Sequence, residues 1–303
     1  MVQEKKVIDE VSGWLRLFDD GSVDRTWTGP PQAKFMSDAV PPHRHFIDGI
    51  ATADIITADG LKLRIYLPEK QEKTTTRKNS QYSYTSTVEA SASTRPIAMV
   101  VSVYLRRAPE HRLPAACDDG LAALLWLRSV AGKQSHEPWL SDHGDFGRVF
   151  LIGDSSGGNI VHQVAARAGH EDLIPLKLAG AIPIHPGFCR SRRRKSEMEQ
   201  PETPFLTLEM VDKFLSLALP VGATKDHPIT CPMGEHAPPL EELKNLPPYM
   251  YCVAEQDLIK DTEMEFYEAM KKAKKEVELF VSNGVGHSFY EQDSCGDGPH
   301  NRG

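Results

Sequence analysis

Residues 149–159 have the sequence VFLIGDSSGGN, which is the most informative stretch of the chain for its architecture. The apolar run Val149–Ile152 predicts a strand that is buried on both faces. Gly153–Gly157 then has the pattern GxSxG, and the apolar residues that follow recur at helical spacing. A strand, a tight turn and a helix in this order predict a sharp bend with Ser155 at its apex.

A serine at such a bend is typical of a catalytic nucleophile. Small flanking residues let the strand and the helix approach each other, and the helix N-terminus favours negative charge that develops beside the hydroxyl. The backbone N–H of Ser156 is the candidate oxyanion donor. A purely structural turn is the alternative, since Gly and Ser are common in turns. The strand and the helix on either side favour Ser155 as the nucleophile.

A serine nucleophile needs a general base, and the best candidate is His287. It follows a predicted strand, Val277–Val281, in a glycine-containing segment that suits an exposed loop. A hydrogen-bonded surface histidine is the alternative. His185 also lies near a strand end, where we interpret it as a hydrogen-bonded loop residue, with a pocket-lining role as the alternative.

The base in turn needs an orienting acid, for which Asp257 is favoured. It follows the predicted strand Tyr249–Val253, and the order Ser, Asp, His along the chain is that of the alpha/beta hydrolases. Asp261 is the second candidate, although it is better placed to cap the next helix, and Glu255 is the third. We expect the three groups to meet at the carboxyl end of a parallel sheet.

The rest of the pattern predicts an α/β fold. Two turn signals, Asp20–Gly21 and Asp59–Gly60, indicate N-terminal antiparallel hairpins. Further buried strands are predicted at Ile97–Val103 and Leu178–Ile184, and helical patterns alternate with them. The helix after Tyr249–Val253 is predicted to open with a capping box formed by Thr262 and Glu265. A mostly parallel central sheet wrapped by helices therefore follows, as a single domain over residues 1–303.

Three segments depart from this alternation. Residues 71–94 are rich in Thr, Ser, Lys and Gln and predict a mobile loop. Phe188–Leu219, which ends in a predicted helix at Thr207–Leu219, is expected to form a helical cap over an apolar pocket together with residues 1–12. The candidate walls of that pocket are Phe188, Phe205 and Phe214.

Composition limits the partners. The net charge of −7 argues against nucleic acid, and the basic run Arg190–Lys195 is interpreted as a solvated loop, with an anion or membrane-surface contact as the alternative. No apolar stretch approaches the roughly 20 residues of a spanning helix, and no secretory signal is visible. Five scattered cysteines without CxxC spacing predict reduced thiols in a cytoplasmic or nuclear protein. The chemistry requires no cofactor and no metal.

The chain resembles the plant carboxylesterases of the hormone-sensitive-lipase-like group. The motifs that carry the resemblance are Gly153–Asn159, Tyr104–Ala115, Asp257–Ile259, Gly286–His287, Gly13–Arg16 and Asp20–Val23. The resemblance implies an alpha/beta-hydrolase fold and hydrolysis of small hydrophobic esters or lactones by a Ser–Asp–His triad. Within the group it is greatest to the members that hydrolyse strigolactones. The gibberellin receptors are similar but lack the histidine that corresponds to His287.

Two departures from that group matter for function. Its members carry a His-Gly-Gly-Gly strand and a helix between the positions of Leu67 and Arg95, and they continue with a further helix after Tyr290. The absent glycines normally supply oxyanion-hole amides, and the absent strand lies in the middle of the sheet. The alternative to an esterase is therefore a non-catalytic or weakly active binding protein. The flanking strands are expected to pair directly, to take a replacement from Gln81–Thr94, or to leave the sheet split.

Overall fold

The computed structural model describes residues 5–29, 31, 34, 37–69, 98–203 and 206–292, without the side chains of 291 and 292. A small antiparallel sheet comes first, made of β1 (Val7–Val11), β2 (Leu15–Phe18) and β3 (Val23–Asp24). The predicted hairpin across Asp20–Gly21 is confirmed by the pairing of β2 with β3. Strand β1 was not predicted: within residues 1–12, which were expected to join a helical cap, Val7–Val11 forms a strand that pairs with β2. Its sequence VIDEV mixes charged and apolar residues and has no strand pattern.

A second antiparallel sheet contains β4 (Ile50–Ile56), β5 (Lys62–Pro68) and β6 (Val100–Val103) in that order. The predicted hairpin across Asp59–Gly60 is confirmed by the pairing of β4 with β5. Arg64 is buried between two apolar neighbours, because its guanidinium binds Asp54 at 2.5 and 2.8 Å.

The strand predicted at Ile97–Val103 needs correction. Residue 97 lies outside the described residues, and β6 covers only four residues. These four are half-buried rather than buried on both faces, and they pair antiparallel with β5. The physical reason is that no second described strand lies against the other edge of β6.

The third sheet is parallel, with the order β10-β9-β8-β7. Its strands are β7 (Val149–Asp154), β8 (Leu178–Ile184), β9 (Tyr249–Ala254) and β10 (Val277–Ser282). The positions of all four predicted strands are thereby confirmed, with ends that differ by two residues at most, but the prediction that β7 is buried on both faces is wrong. Among the described residues β6 does not pair with β7, so the two sheets stay separate, and Phe150 of β7 is 49% exposed. The predicted loop 71–94, with the candidate replacement strand Gln81–Thr94, lies outside the described residues.

Helices cover the parallel sheet and connect its strands. They are α1 (Ala115–Ala131), α2 (Pro138–His143), α3 (Ser156–Ala168), α4 (Lys195–Glu199), α5 (Leu208–Ala218), α6 (Lys260–Lys272) and α7 (Phe289–Gln292). A short 3₁₀ turn covers Leu240–Glu242. The main core lies where α3 and α6 pack on β9, and Tyr251 and Phe266 are completely buried there.

The predicted capping box at the start of α6 is wrong. The helix begins at Lys260, and the preceding residue, Ile259, contributes no side-chain cap. The hydroxyl of Thr262 instead donates to the carbonyl of Ile259 at 2.8 Å. Glu265 is held elsewhere, because it pairs with Arg190 and Arg194.

Those ion pairs also change the interpretation of the basic run. Arg190 and Arg194 bind one carboxylate of α6, and Arg193 binds Glu197 and Asp212. The run is therefore a partly buried set of ion pairs rather than a freely solvated loop.

Helix α5 packs against the first antiparallel sheet. Met210 and Leu217 share a buried cluster with Val11 and Leu15, and Lys213 Nζ lies 2.6 Å from an Asp9 carboxylate oxygen. The helix begins after Thr207, whose hydroxyl accepts the Met210 N–H. The helix predicted at Thr207–Leu219 is confirmed within one residue at each end.

Two further features concern the chain as a whole. In the described part of the molecule no helix combines the length and the apolar character needed to cross a bilayer. Cys117, Cys189, Cys231 and Cys252 are free and buried.

Candidate active site

The bend between β7 and α3 places Ser155 in a strained conformation. Its φ is +52° and its ψ is −119°, which L-residues rarely adopt. Glycines make the bend possible: a Cβ on Gly153 would lie 2.5 Å from the carbonyl oxygen of Gly157. A Cβ on Gly158 would lie 2.8 Å from the Cβ of Pro186. Close approach therefore requires glycine at positions 153 and 158.

Backbone hydrogen bonds hold the bend in place. The N–H of Ser155 donates to the carbonyl of Ile184, at the end of β8, at 2.9 Å. The carbonyl of Ser155 accepts from Gly158 N at 2.9 Å and from Gly187 N at 3.0 Å. The serine is therefore fixed between the neighbouring strand and the first turn of α3.

The predicted partners of Ser155 lie beside it. Its Oγ is 2.9 Å from Nε2 of His287, and Nδ1 of that ring is 2.6 Å from Oδ2 of Asp257. Asp257 is completely buried and His287 is only 6% exposed. The hydroxyl, the imidazole and the carboxylate form one continuous chain of hydrogen bonds at the carboxyl ends of β7, β9 and β10.

The structure also separates the three candidate acids. The second oxygen of Asp257 accepts the Ile259 N–H at 3.0 Å, which fixes the carboxylate toward the imidazole. Asp261 instead accepts the backbone N–H of Ser196 at 2.9 Å. The carboxylate of Glu255 accepts from Gly284 N at 2.7 Å. Both alternative acids are thus bound to backbone N–H groups of other segments.

His185 lies next to the site, and its contacts could not be predicted from the sequence. It follows β8, is 1% exposed, and its ring centroid lies 5.7 Å from that of His287. Its Nδ1 accepts the backbone N–H of Ser288 at 2.9 Å. Burial, followed by the charge of His287, lowers the pKa of His185 to about 4, so the ring is neutral near pH 7. In the sequence, only its position before Pro186–Gly187 at a strand end indicated that His185 lies near the site.

His185, Asp257 and His287 have nitrogen and oxygen atoms within 4.8 Å of one another, a spacing that a metal ion would accept. Nδ1 of His185 and Nδ1 of His287 already take part in the hydrogen bonds described above. The donor set therefore favours proton transfer between side chains.

A buried carboxyl group lies under the site. Glu263, in the first turn of α6, is completely buried, and neither of its carboxyl oxygens has a hydrogen-bond partner among the described residues. Burial, and then the nearby carboxylates of Asp257 and Asp154, raise the pKa of Glu263 well above its usual value. Burial therefore favours the neutral form of Glu263.

The structure places the three predicted pocket walls in different surroundings. Phe188 is completely buried in the core, with its ring 4.6 Å from that of Phe266, so it supports α6 and is not a pocket wall. Phe214 packs edge-on against Trp14, between α5 and the first sheet. Phe205 lies outside the described residues.

Ser156, the predicted oxyanion donor, is the first residue of α3, where N–H groups lack an intrahelical acceptor.

Comparison with known proteins agrees with this geometry. A family defined by the alpha/beta hydrolase fold matches residues 80–291. Probable carboxylesterase 6 of Arabidopsis thaliana is 31% identical, over 94% of this chain and 84% of its own. The 2-hydroxyisoflavanone dehydratase of Glycyrrhiza echinata is 33% identical, over 94% of this chain and 90% of its own. A gibberellin receptor of Arabidopsis thaliana is 40% identical, over 64% of this chain and 53% of the receptor.

Solved structures show the same fold. An esterase of Pyrobaculum calidifontis superposes with a TM-score of 0.60 at 23% identity, over 87% of this chain and 83% of its own. An esterase of Rhizomucor miehei superposes with a TM-score of 0.62 at 19% identity, over 86% of this chain and 81% of its own. The chain belongs to the alpha/beta hydrolase fold family and, within it, to the carboxylesterase-type enzymes.

Proposed function

We propose that this enzyme hydrolyses carboxylic esters or lactones of small hydrophobic molecules, with Ser155 as the nucleophile. The observation that carries the proposal is the unbroken chain from Ser155 Oγ through His287 to Asp257, at 2.9 and 2.6 Å. A serine, a base and an orienting acid in this arrangement are what acyl transfer requires.

In the proposed reaction, Nε2 of His287 takes the proton of Ser155 as Oγ attacks the carbonyl carbon of the ester. The negative charge moves to the carbonyl oxygen, where the N–H of Ser156 at the start of α3 can donate to it. The imidazolium then gives its proton to the leaving alcohol. Water repeats the sequence on the acyl-enzyme and releases the acid.

Asp257 supports both halves of the cycle. Its carboxylate accepts from Nδ1 of His287, which fixes the tautomer that leaves Nε2 free to take the serine proton. The same charge stabilises the imidazolium that forms. Because Asp257 is completely buried, solvent screens this attraction little.

A second candidate function is favoured by a specific observation. Residues 68–94 contain neither glycine nor histidine, so the His-Gly-Gly-Gly segment of the resembled group has no counterpart there. Such a chain, with partial similarity to a gibberellin receptor, would bind a small hydrophobic ligand while turning over slowly or not at all. Hydrolysis of strigolactones, the finer assignment, stays a prediction.

A fluorophosphonate probe and a short-chain aryl ester separate the two functions. Labelling of the purified protein, abolished by Ser155→Ala, supports the hydrolase because it requires an activated serine. The variant should also lose release of the aryl alcohol. A folded protein that neither labels nor hydrolyses any ester offered would favour the binding function.

A further inference from the structure

A second set of hydrogen bonds joins the two loops that carry the proposed nucleophile and base. The hydroxyl of Ser288 donates to Oδ2 of Asp154 at 2.7 Å. Asp154 immediately precedes Ser155, and Ser288 immediately follows His287. The two loops are therefore held together by neighbouring residues as well as by the Ser155–His287 contact.

The same serine is fixed from a third strand. Its backbone N–H donates to Nδ1 of His185, at the end of β8, at 2.9 Å. Since Nδ1 accepts this bond, the remaining ring proton of neutral His185 lies on Nε2. Ser288 thus connects the ends of β7, β8 and the segment after β10.

The backbone shows why these contacts are needed. Ser288 has φ +47° and His185 has φ +40°, a left-handed conformation that L-residues other than Asn and Asp seldom adopt. Such conformations persist where surrounding contacts hold them. Here Asp154, Ser288 and His185 are linked to one another, with Ser288 and His185 at most 6% exposed.

We infer that Asp154, Ser288 and His185 are positioning residues that set the place of the His287 ring relative to Ser155. The inference rests on the proposed function, because it concerns the same proton transfer. The neutral ring of His185 also adds no positive charge beside His287 when that ring takes the serine proton. Asp154 and Ser288 act through the backbone of the adjacent residues 155 and 287, and the His185 ring lies directly beside the ring of His287, at 5.7 Å between centroids.

The test is Ser288→Ala, which removes the hydroxyl and keeps the backbone N–H. We expect kcat to fall about 10- to 100-fold with KM little changed, because misplacement of a reacting group by about 1 Å has effects of this size. Rates are expressed per active site, and the active sites are titrated with the fluorophosphonate probe. A smaller fraction of folded protein then does not lower the measured kcat. Ser22→Ala is the matched control, since Ser22 also binds an aspartate, Asp20, at 2.5 Å in an exposed turn.

A double-mutant cycle tests whether the contact with Asp154 is the cause. If the two residues act as a unit, Asp154→Ala with Ser288→Ala loses no more kcat than either change alone. A loss of kcat in the double variant equal to the product of the two single losses would mean that the hydroxyl acts independently of Asp154. That result would overturn the inference.

Proton NMR gives a reading that does not depend on turnover. The low-field resonance of the Nδ1 proton of His287, bonded to Asp257, should be sharp in the wild type and in Ser22→Ala. It should broaden or shift upfield in Ser288→Ala. An unchanged resonance and an unchanged rate per active site in Ser288→Ala would overturn the positioning role. Absence of ester hydrolysis by the wild type would instead count against the proposed function, while the resonance still tests the positioning.

Discussion

Oδ2 of Asp257 lies 2.6 Å from Nδ1 of His287, although the two residues are 30 positions apart in the chain. The contact joins the loop after β9 to the loop after β10, and these strands are parallel neighbours in exact register from Val277 and Tyr249 onward. Parallel pairing brings the two strand ends to the same edge of the sheet. The orientation of the proposed base is therefore a consequence of strand pairing.

Asp257→Asn should lower kcat by about 10⁴-fold, because the amide cannot hold the required tautomer or stabilise the imidazolium. Steady-state hydrolysis of an aryl ester measures the loss. Asp261→Asn is the matched control, since the carboxylate of Asp261 binds the backbone N–H of Ser196. Comparable losses in both variants would contradict the assignment of the acid.

Gly158→Ala should reduce the free energy of unfolding by about 1–3 kcal/mol, the usual cost of overpacking. The new methyl would lie 2.8 Å from Cβ of Pro186 and 2.9 Å from its Cα, which are not free to move away. Urea unfolding measures the change. Gly132→Ala is the control, because its Cβ would meet no heavy atom closer than 3.4 Å at an ordinary φ of −80°. Equal stabilities would show that the contact relaxes.

Glu263→Gln should stabilise the protein increasingly as the pH rises. The pKa of Glu263 is raised in the folded state, so between its ordinary value and the raised value the unfolded chain binds fewer protons than the native protein. The free energy of unfolding of the wild type therefore falls with rising pH through this window, by about 1.4 kcal/mol per pH unit from this group. Glutamine removes that contribution, which urea unfolding at pH 5 and pH 8 would measure.

Glu268→Gln serves as the control for this pH dependence, because Glu268 is exposed on the same helix. Its effect on stability should be the same at both pH values. A constant difference between Glu263→Gln and the wild type across the range would mean that Glu263 is ionised in the folded protein.

Replacement of residues 68–94 by a His-Gly-Gly-Gly strand and helix should raise kcat by about 10²–10³-fold per donor gained, because oxyanion-hole amides have effects of this size. A Gly/Ser segment of equal length is the control for the loss of the native segment. Turnover of a short-chain aryl ester compares the three proteins. Equal turnover would show that another part of the chain already supplies the oxyanion donors.

Local sequence was sufficient to predict the elements that carry the site. The apolar runs before Ser155, Asp257 and His287 were recognisable as strands without any partner, although only the run before Asp257 is buried on both faces. The GxSxG motif was equally local, because Gly153 closely approaches the backbone of Gly157 within the same turn. The strand–helix alternation then implied a parallel sheet, whose shared edge predicted where the three residues meet.

The remaining features depended on contacts between distant segments. Sequence reasoning already favoured Asp257 over Asp261, but the contacts of His185 and Ser288 followed from three strand ends meeting. Phe188 was mistaken for a pocket wall because a strand-end phenylalanine has the same sequence signal whether it faces the core or a cavity. Burial and hydrogen bonding are properties of the packed chain, and for these residues only the three-dimensional arrangement distinguished one role from another.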